Sequence, residues 1–312
     1  MAIKKACFVK TSVKNTGKEC DTSMVATAML IAIKRGHKIT DADLANPVPW
    51  MNLLIHQRIA FPLFGQQAPI REIQNSAEGD ITVTLDDGLK VFLRYGLYNR
   101  GFATTSGGLC YAQALQSLNK SGYDIIEVDQ TGQMLLRRNS DGTYGGLITD
   151  FMYAPSPILA DFKSTPYKNR FEYTFSPIEL VNNGVIFNGA TELLSMMGLV
   201  DAVPFTTLIS TPSTTTNIFF GVKTECAEDD LVTTVGTPLA IPSNWVVKES
   251  ITGAVVVTSA GVIVGDEVKL TGTFLSGKKY LVTGSTADIW LTNNIDGYDS
   301  ATNSVPATVT IP

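Results

Sequence analysis

From residue 217 onward the chain breaks into short runs rich in Val and Thr: "NIFFGVKT", "SNWVVKES", "GAVVVTSAG", "EVKLTGTF", "KKYLVTG" and "PATVTI". Gly, Pro or Asn separates one from the next. β-branched residues in runs of this length suit a pleated, half-buried surface and not a helix. About seven such runs in about 95 residues is the rhythm of two packed antiparallel sheets. Trp245, in "NWVV", is the candidate core anchor, while no cysteine pair has the spacing that bridges the sheets of antibody domains. The expectation is an immunoglobulin-like β-sandwich over 217–312. It is preceded at 206–216 by a Thr/Ser-rich linker, the composition of "TLISTPSTTT".

The upstream part also reads as mainly β, with one or two short helices. Residues 40–205 are expected to form a sandwich- or barrel-like domain, and 1–39 a basic N-terminal arm, extended at first and then apolar. "KITDADLANPVPW" starts a short helix with Thr40 and Asp43 at capping-box spacing, which Pro47 and Pro49 break. "TTSGGLCYAQALQSLNKSG" is the best helix, with Thr105 or Ser106 as cap and Gly122 as stop. "YDIIEVD", "QMLLRR" and "TYGGLI" form a meander joined by Gly- and Asp-rich turns. "RFEYTF" alternates Phe171, Tyr173 and Phe175 against Glu172 and Thr174, as a half-buried strand does.

"DDGLKVFLRYGLYNRGFATT" (86–105) carries the candidate functional residues. Leu89, Val91, Leu93 and Tyr95 alternate with Lys90, Phe92 and Arg94, and the pattern resumes after Gly96 through Tyr98, Arg100 and Phe102. Turn chemistry at Asp87-Gly88 and Gly96 predicts one long hairpin. Both of its faces are apolar or aromatic, so it wants partners on two sides. Val91, Phe92, Leu93, Arg94, Tyr95, Tyr98, Arg100 and Phe102 are therefore the candidate subunit interface. The same mixture of aromatic and basic residues suits stacking on nucleic acid, but packing against protein accounts for it as well and is favoured.

Catalytic equipment is not evident. Of two histidines, His37 lies in a basic segment and His56 in an apolar one, where a packed imidazole is expected. No GxSxG, HExxH or GK[ST] pattern occurs. "GFATTSGG" (101–108) lacks the lysine and spacing of a phosphate loop and reads as a turn and helix cap. Glu228, Asp229 and Asp230 in "CAEDD", and Asp296 and Asp299 in "NNIDGYDSATN", offer oxygen donors without a fixed ligand ladder, so solvated loops are expected. The reading is of a non-enzyme with no cofactor and no metal.

The net charge of -5 is uneven. Residues 1–210 hold 19 basic and 19 acidic side chains, whereas the remainder holds 5 and 10. Lys4, Lys5, Lys10, Lys14, Lys18, Lys34, Arg35 and Lys38 make the arm basic and suit it to an acidic neighbour. Cys7, Cys20, Cys110 and Cys226 show no CxxC spacing, and reduced thiols in a protein folded in a cytoplasm are expected. The apolar run "MVATAMLIAI" (24–33) is too short to span a membrane and reads as a buried strand or helix. It lacks a cleavage pattern, so a cleaved secretion signal fits poorly and no membrane partner is expected.

"GKECDTSMVATAMLIAI", the acidic-Gly turn into "LKVFLRYG", and "GYDIIEVDQTGQML…SDGTYGGLI" resemble virion structural proteins of tailed bacteriophages. The nearest likeness is to tail-tube-type proteins of phages of Bacteroidetes hosts, in which a β-rich tube domain is often followed by an Ig-like domain. The resemblance covers most of the chain in order and spacing, without one diagnostic motif. It implies a self-assembling subunit of stacked, hexameric rings around a DNA-conducting lumen. The partners are then further copies, other virion proteins, and phage DNA passing through without sequence-specific binding. It implies assembly in the host bacterial cytoplasm and residence in the virion, with the arm reaching an adjacent ring. The excess of acid in the C-terminal part departs from the acidic lumen expected of such tubes. The alternatives are a capsid decoration or head–tail connecting protein, and an Ig-like glycan-binding module using Tyr280, Trp290 and Tyr298.

Overall fold

The run "TAMLIAIK" is apolar at odd and even positions alike, and it forms an inner strand buried on both faces. The structure, a computed structural model, describes residues 3–8, 24–86, 88–119, 122–160, 166–206, 212–300 and 306–312. The chain is mainly β and divides into two compact units, Met1–Gly198 and Leu199–Pro312.

In chain order the first unit opens with β1 (Lys4–Phe8), β2 (Thr27–Lys34), α1 (Asp41–Ala45), α2 (Pro47–His56) and β3 (Ala60–Phe64). Then come β4 (Glu72–Ala77), β5 (Ile81–Thr84), β6 (Lys90–Arg94), β7 (Tyr98–Thr104) and α3 (Leu109–Ser117). β8 (Tyr123–Asp129), β9 (Gln133–Arg138), β10 (Tyr144–Gly145), β11 (Phe151–Tyr153), β12 (Asn169–Phe175), α4 (Pro177–Asn183), β13 (Gly184–Asn188) and a 3-10 turn at Ala190–Ser195 complete it. A large antiparallel sheet runs β1-β13-β9-β8-β2-β3, with β10 beside β9. A smaller one runs β11-β12-β7-β4, and β5 pairs with β6 as a separate ribbon.

The two larger sheets share one core. Leu30, Ala32 and Ile125 of the first meet Phe102, Phe171, Tyr173 and Phe175 of the second, with Leu115 of α3 closing one end. Alternation on β12 puts its aromatics inside, as its sequence predicts. On β2 the other face, Met29, Ile31 and Ile33, is equally buried. Thus Thr27–Lys34 is not part of an arm but the partner of both β8 and β3, and Lys4–Phe8 pairs with β13. Residues 9–23 of the expected arm lie outside the described residues.

Local chemistry explains two smaller departures. Thr40 and Asp43 form the expected capping box on α1, which ends at Ala45 before Pro47 as expected, but Pro47 also opens α2, because an N-terminal proline gives up no intrahelical bond. α3 starts at Leu109 with Gly108 as its cap, two residues beyond Ser106, the later of the two expected caps, Thr105 and Ser106. Thr104 Oγ1 already accepts the Ser106 amide in a local turn.

The second unit contains β14 (Val200–Phe205), β15 (Asn217–Thr224), α5 (Leu231–Val235), β16 (Trp245–Glu249), β17 (Val255–Val256) and β18 (Thr258–Val264). β19 (Glu267–Gly272), β20 (Lys279–Gly284), α6 (Ala287–Thr292), β21 (Tyr298–Ser300) and β22 (Ala307–Thr310) follow. One sheet runs β18-β19-β15-β14-β21 and the other β17-β16-β20-β22. Apart from β21, these are the D-E-B-A and C′-C-F-G orders of an immunoglobulin-like sandwich. β21 is an addition between F and G, and it pairs parallel to β14. Because β14 serves as the A strand, the boundary falls at Gly198/Leu199 and not within 206–216; residues 207–211 lie outside the described residues.

Trp245 sits at the start of strand C and is buried, edge-on to Phe220 at 4.8 Å and to Trp290 at 5.4 Å. Its Nε1 donates to the Leu239 carbonyl at 2.6 Å. At the E–F corner the amide of Leu275 donates to the Tyr280 hydroxyl at 2.8 Å, the contact of a tyrosine corner. Val282 fills the place two residues on that a cysteine takes in antibody domains, so apolar packing alone joins these sheets there.

Candidate functional site

The segment 86–105 does not form a hairpin folded at Gly96. β6 pairs back onto β5, with Val83 opposite Val91 and Thr82 opposite Phe92. β7 instead pairs with β4 and β12. The turn of the ribbon lies at 85–89, where Leu85 N bonds the Leu89 carbonyl at 2.8 Å and Gly88 takes φ +81°. Asp87 lies outside the described residues. Gly96 marks the return into the sheet, since a Cβ there would stand 1.9 Å from the Glu78 carbonyl oxygen. Only glycine permits that approach.

Polar groups clamp this crossing. The Gly96 amide donates to Asp80 Oδ1 at 3.1 Å, and the Leu97 amide donates to Glu78 Oε2 at 3.2 Å. Arg94 reaches the same carboxylate at 3.4 Å. Beyond the clamp, β6 is exposed along its whole length, and Leu89, Phe92 and Leu93 are 60%, 48% and 58% exposed. Phe92 and Tyr95 rest edge-on at 4.6 Å. Val83 and Leu85, which the sequence reading did not single out, extend the same apolar surface.

The eight candidate interface residues therefore divide. Val91, Phe92, Leu93, Arg94 and Tyr95 are exposed on the ribbon. Tyr98 packs against the core, Phe102 is buried in it, and Arg100 points between the sheets. These last three lie on β7, whose alternation directs Tyr98, Arg100 and Phe102 inward together. Arg100 meets Glu127, Thr27 and Tyr173, a buried polar group that the sequence reading missed. The signal was a lone glutamate within the apolar run "YDIIEVD". Thr27 Oγ1 donates to Glu127 Oε2 at 2.6 Å, and the Tyr173 hydroxyl donates to Oε1. Burial and the neighbouring Glu127 carboxylate hold the Tyr173 phenol well above its ordinary pKa.

Other candidates take structural places. His56 is buried on α2 with Nδ1 2.8 Å from the Asn52 carbonyl. Burial lowers the His37 pKa, against a smaller opposing pull from Asp43. Asp230 caps α5 by accepting the Val232 amide at 2.9 Å, Glu228 pairs with Lys223 at 2.8 Å, and Asp296 accepts the Gly297 amide. Among the described residues no cluster of three His, Cys, Asp or Glu is placed to hold a metal ion. Nor, among them, is any helix long and apolar enough to cross a membrane.

Two further expectations are overturned. Tyr280 and Trp290 are not exposed aromatics, being 2% and 0% exposed, and Tyr298 is partly buried against the same core. The period-2 and corner positions that place them in strands also turn them inward. Cys110 and Cys226 are not reduced thiols, since both are disulfide-bonded. Sequence spacing could not show this, because disulfide geometry depends on approach in space. No protein-family model matches the chain, and no curated protein matches it in sequence.

Proposed function

We propose that the chain is a self-assembling virion structural protein, a tail-tube subunit whose copies meet through the β5–β6 ribbon. The observation that carries this reading is the ribbon's exposure of Val83, Leu85, Leu89, Val91, Phe92, Leu93 and Tyr95 on both faces. A two-stranded ribbon alone is marginally stable in water, and apolar side chains on both faces gain only when a neighbour covers them. The resemblance to phage tail-tube proteins supports a ring of copies with stacked neighbours and a lumen for DNA. The mainly β architecture with a trailing Ig-like unit accords with it. The disulfide-bonded state of Cys110 and Cys226 suits a particle that spends its working life outside a reducing cytoplasm. The glycan-binding reading of the Ig-like unit has lost its aromatic platform, since Tyr280 and Trp290 are core residues.

The test is negative-stain microscopy and solution mass of the full chain beside Phe92→Ser/Leu93→Ser. Both positions are exposed, so the variant keeps its fold. Rings or tubes from the wild type and a monomer from the variant are expected. Wild-type-like assemblies from the variant would remove the ribbon from the interface. A monomeric wild type that no seeding converts to rings would remove the tube.

A further inference from the structure

Strand β18 forms an open edge of the second unit's larger sheet. From Ser250 to Gly265 the sequence holds no charged residue and no proline. Native edge strands commonly carry such residues, because a row of unpaired N–H and C=O groups otherwise invites another strand. The two-residue turn at Gly265-Asp266 closes on Val264 and Glu267 as a hydrogen-bonded pair. Gly261 and Ile263 therefore direct their N–H and C=O groups away from β19. Among the described residues no backbone group of another segment bonds to them. Gly261 stands opposite the core residue Leu270, and a Cβ on it would lie 1.8 Å from the Ala240 carbonyl oxygen, so the inner face is closed there. The outer face is open and apolar. Val262 and Val264 are 49% and 41% exposed, and Val257, where the chain enters β18, is 83% exposed.

We propose that β18 receives strand β6 from the ribbon of a second copy, so that the ribbon extends its neighbour's sheet. β18 thereby becomes the surface that the ribbon meets, which rests on the reading of the ribbon as the subunit interface. β6 is exposed along its whole length and pairs on one side only. The other sheet edges among the described residues suit it less. β10, β11, β17 and β21 are two or three residues long, β3 holds Pro62, β4 is mostly polar, and β1 carries Lys4 and Lys5. On β22 the Thr308 carbonyl already accepts the Thr206 hydroxyl at 2.8 Å. Charge decides against self-pairing. Two β6 strands paired antiparallel over their five residues would set Lys90 against Arg94 of the other copy. Two β18 edges would bring together units that each hold 5 basic and 11 acidic side chains over 199–312. β6 on β18 opposes no like charges, and it brings Lys90 and Arg94 to an edge whose turn carries Asp266 and Glu267. The contact is also heterologous. It propagates from copy to copy, as a ring or filament requires, whereas a two-fold contact stops at a dimer.

The test places the photo-cross-linker p-benzoylphenylalanine at Phe92 of the full chain and maps its cross-links by mass spectrometry. β18 is unaltered in that protein, and the expected cross-link joins two copies through the peptide containing Thr258–Val264. Beside it stands Val262→Lys/Val264→Lys, whose changes lie on the exposed outer face. This variant should weaken association by at least about tenfold, since it sets cations against Lys90 and Arg94. Val262→Thr/Val264→Thr keeps the β-branching and should weaken it less. Cross-links between copies that reach only another surface, while assemblies persist, overturn the pairing with β18 and leave the ribbon as the interface. Cross-links from ribbon to ribbon, or undiminished assembly of Val262→Lys/Val264→Lys, do the same. A wild type that stays monomeric and yields no cross-link between copies overturns both the pairing and the ribbon-mediated assembly beneath it.

Discussion

Arg100 Nη2 lies 3.1 Å from Oε2 of Glu127, a carboxylate that is 1% exposed between the two sheets of the first unit. The same nitrogen donates to Thr27 Oγ1 at 3.0 Å, and the guanidinium stands 5.3 Å from the Phe102 ring centroid. Arg100 Nε has no partner among the described residues, so the pair is only partly compensated for its desolvation. Removing one member leaves the other as a buried, unpaired charge. Arg100→Met or Glu127→Leu alone should therefore cost about 3–5 kcal/mol in urea unfolding. The double variant should recover part of that loss, since a hydrophobic pair of similar volume replaces two desolvated ions while the Thr27 and Tyr173 hydroxyls lose their acceptor. Single and double variants of equal stability would mean that the pair is not coupled.

Asp129 organises the turn from β8 to β9. Its Oδ1 accepts the Thr131 amide, the Thr131 hydroxyl and the Gln133 amide, each at 2.8 Å, and its Oδ2 accepts the Val25 amide at 3.0 Å. Burial alone would raise its pKa, but the bonds from Gln133, Thr131 and Val25 outweigh it and hold the carboxyl below 3.8. A depressed folded-state pKa stabilises the fold above the unfolded value, and this contribution fades as pH falls through the folded value. Asp129→Asn should cost about 1.5–3 kcal/mol at neutral pH. That gap should narrow in the acid range below 3.8, as the wild-type carboxyl protonates. Urea curves for both proteins across this range read the effect directly, and a gap independent of pH would assign the loss to packing.

Tyr280 ties the E–F corner to strand F through the Leu275 amide. Tyr280→Phe keeps the ring, which packs edge-on to Phe274 at 5.1 Å, and removes only the acceptor. The cost should be about 1–3 kcal/mol, that of leaving a partly buried donor unpaired. Amide exchange at Leu275 should accelerate before any other amide of the sandwich. Unchanged protection there would place the corner's rigidity in ring packing.

The fold was legible where one local rule settled an element. Alternation in "RFEYTF" gave a strand with the correct inner face, and the Val/Thr-rich runs after 217 gave the sandwich, with Trp245 at its centre. Partners were less legible, because pairing is decided by which edges meet in space. "LKVFLRYG" reads as half of a hairpin with the residues that follow it, yet it pairs with the residues that precede it. The same limit hid the site. Arg100 carries the signature of a surface cation, and only the register of β7 against β12, with β8 across the core, shows that it faces Glu127.

Gly96 controls how the ribbon leaves the sheet. A Cβ at this position meets backbone, with the Glu78 carbonyl oxygen at 1.9 Å and that of Gly79 at 2.8 Å, so no side chain can move aside to admit it. Gly96→Ala must therefore displace the chain at 78–79 and loosen the bonds that Glu78 and Asp80 make to Leu97 and Gly96. Gly101→Ala is the matched comparison, since its Cβ finds only ordinary contacts. We expect Gly96→Ala to lose about 1–3 kcal/mol and Gly101→Ala to lose less than about 1 kcal/mol. In hydrogen exchange the Gly96→Ala variant should lose protection at Leu97 and along β5 and β6 while β7 and β12 stay protected. Assembly should fall with it, because the ribbon would no longer leave the sheet at a fixed angle. Full assembly from a Gly96→Ala protein with an unprotected ribbon would show that the ribbon's orientation is set by its neighbour and not by this clamp.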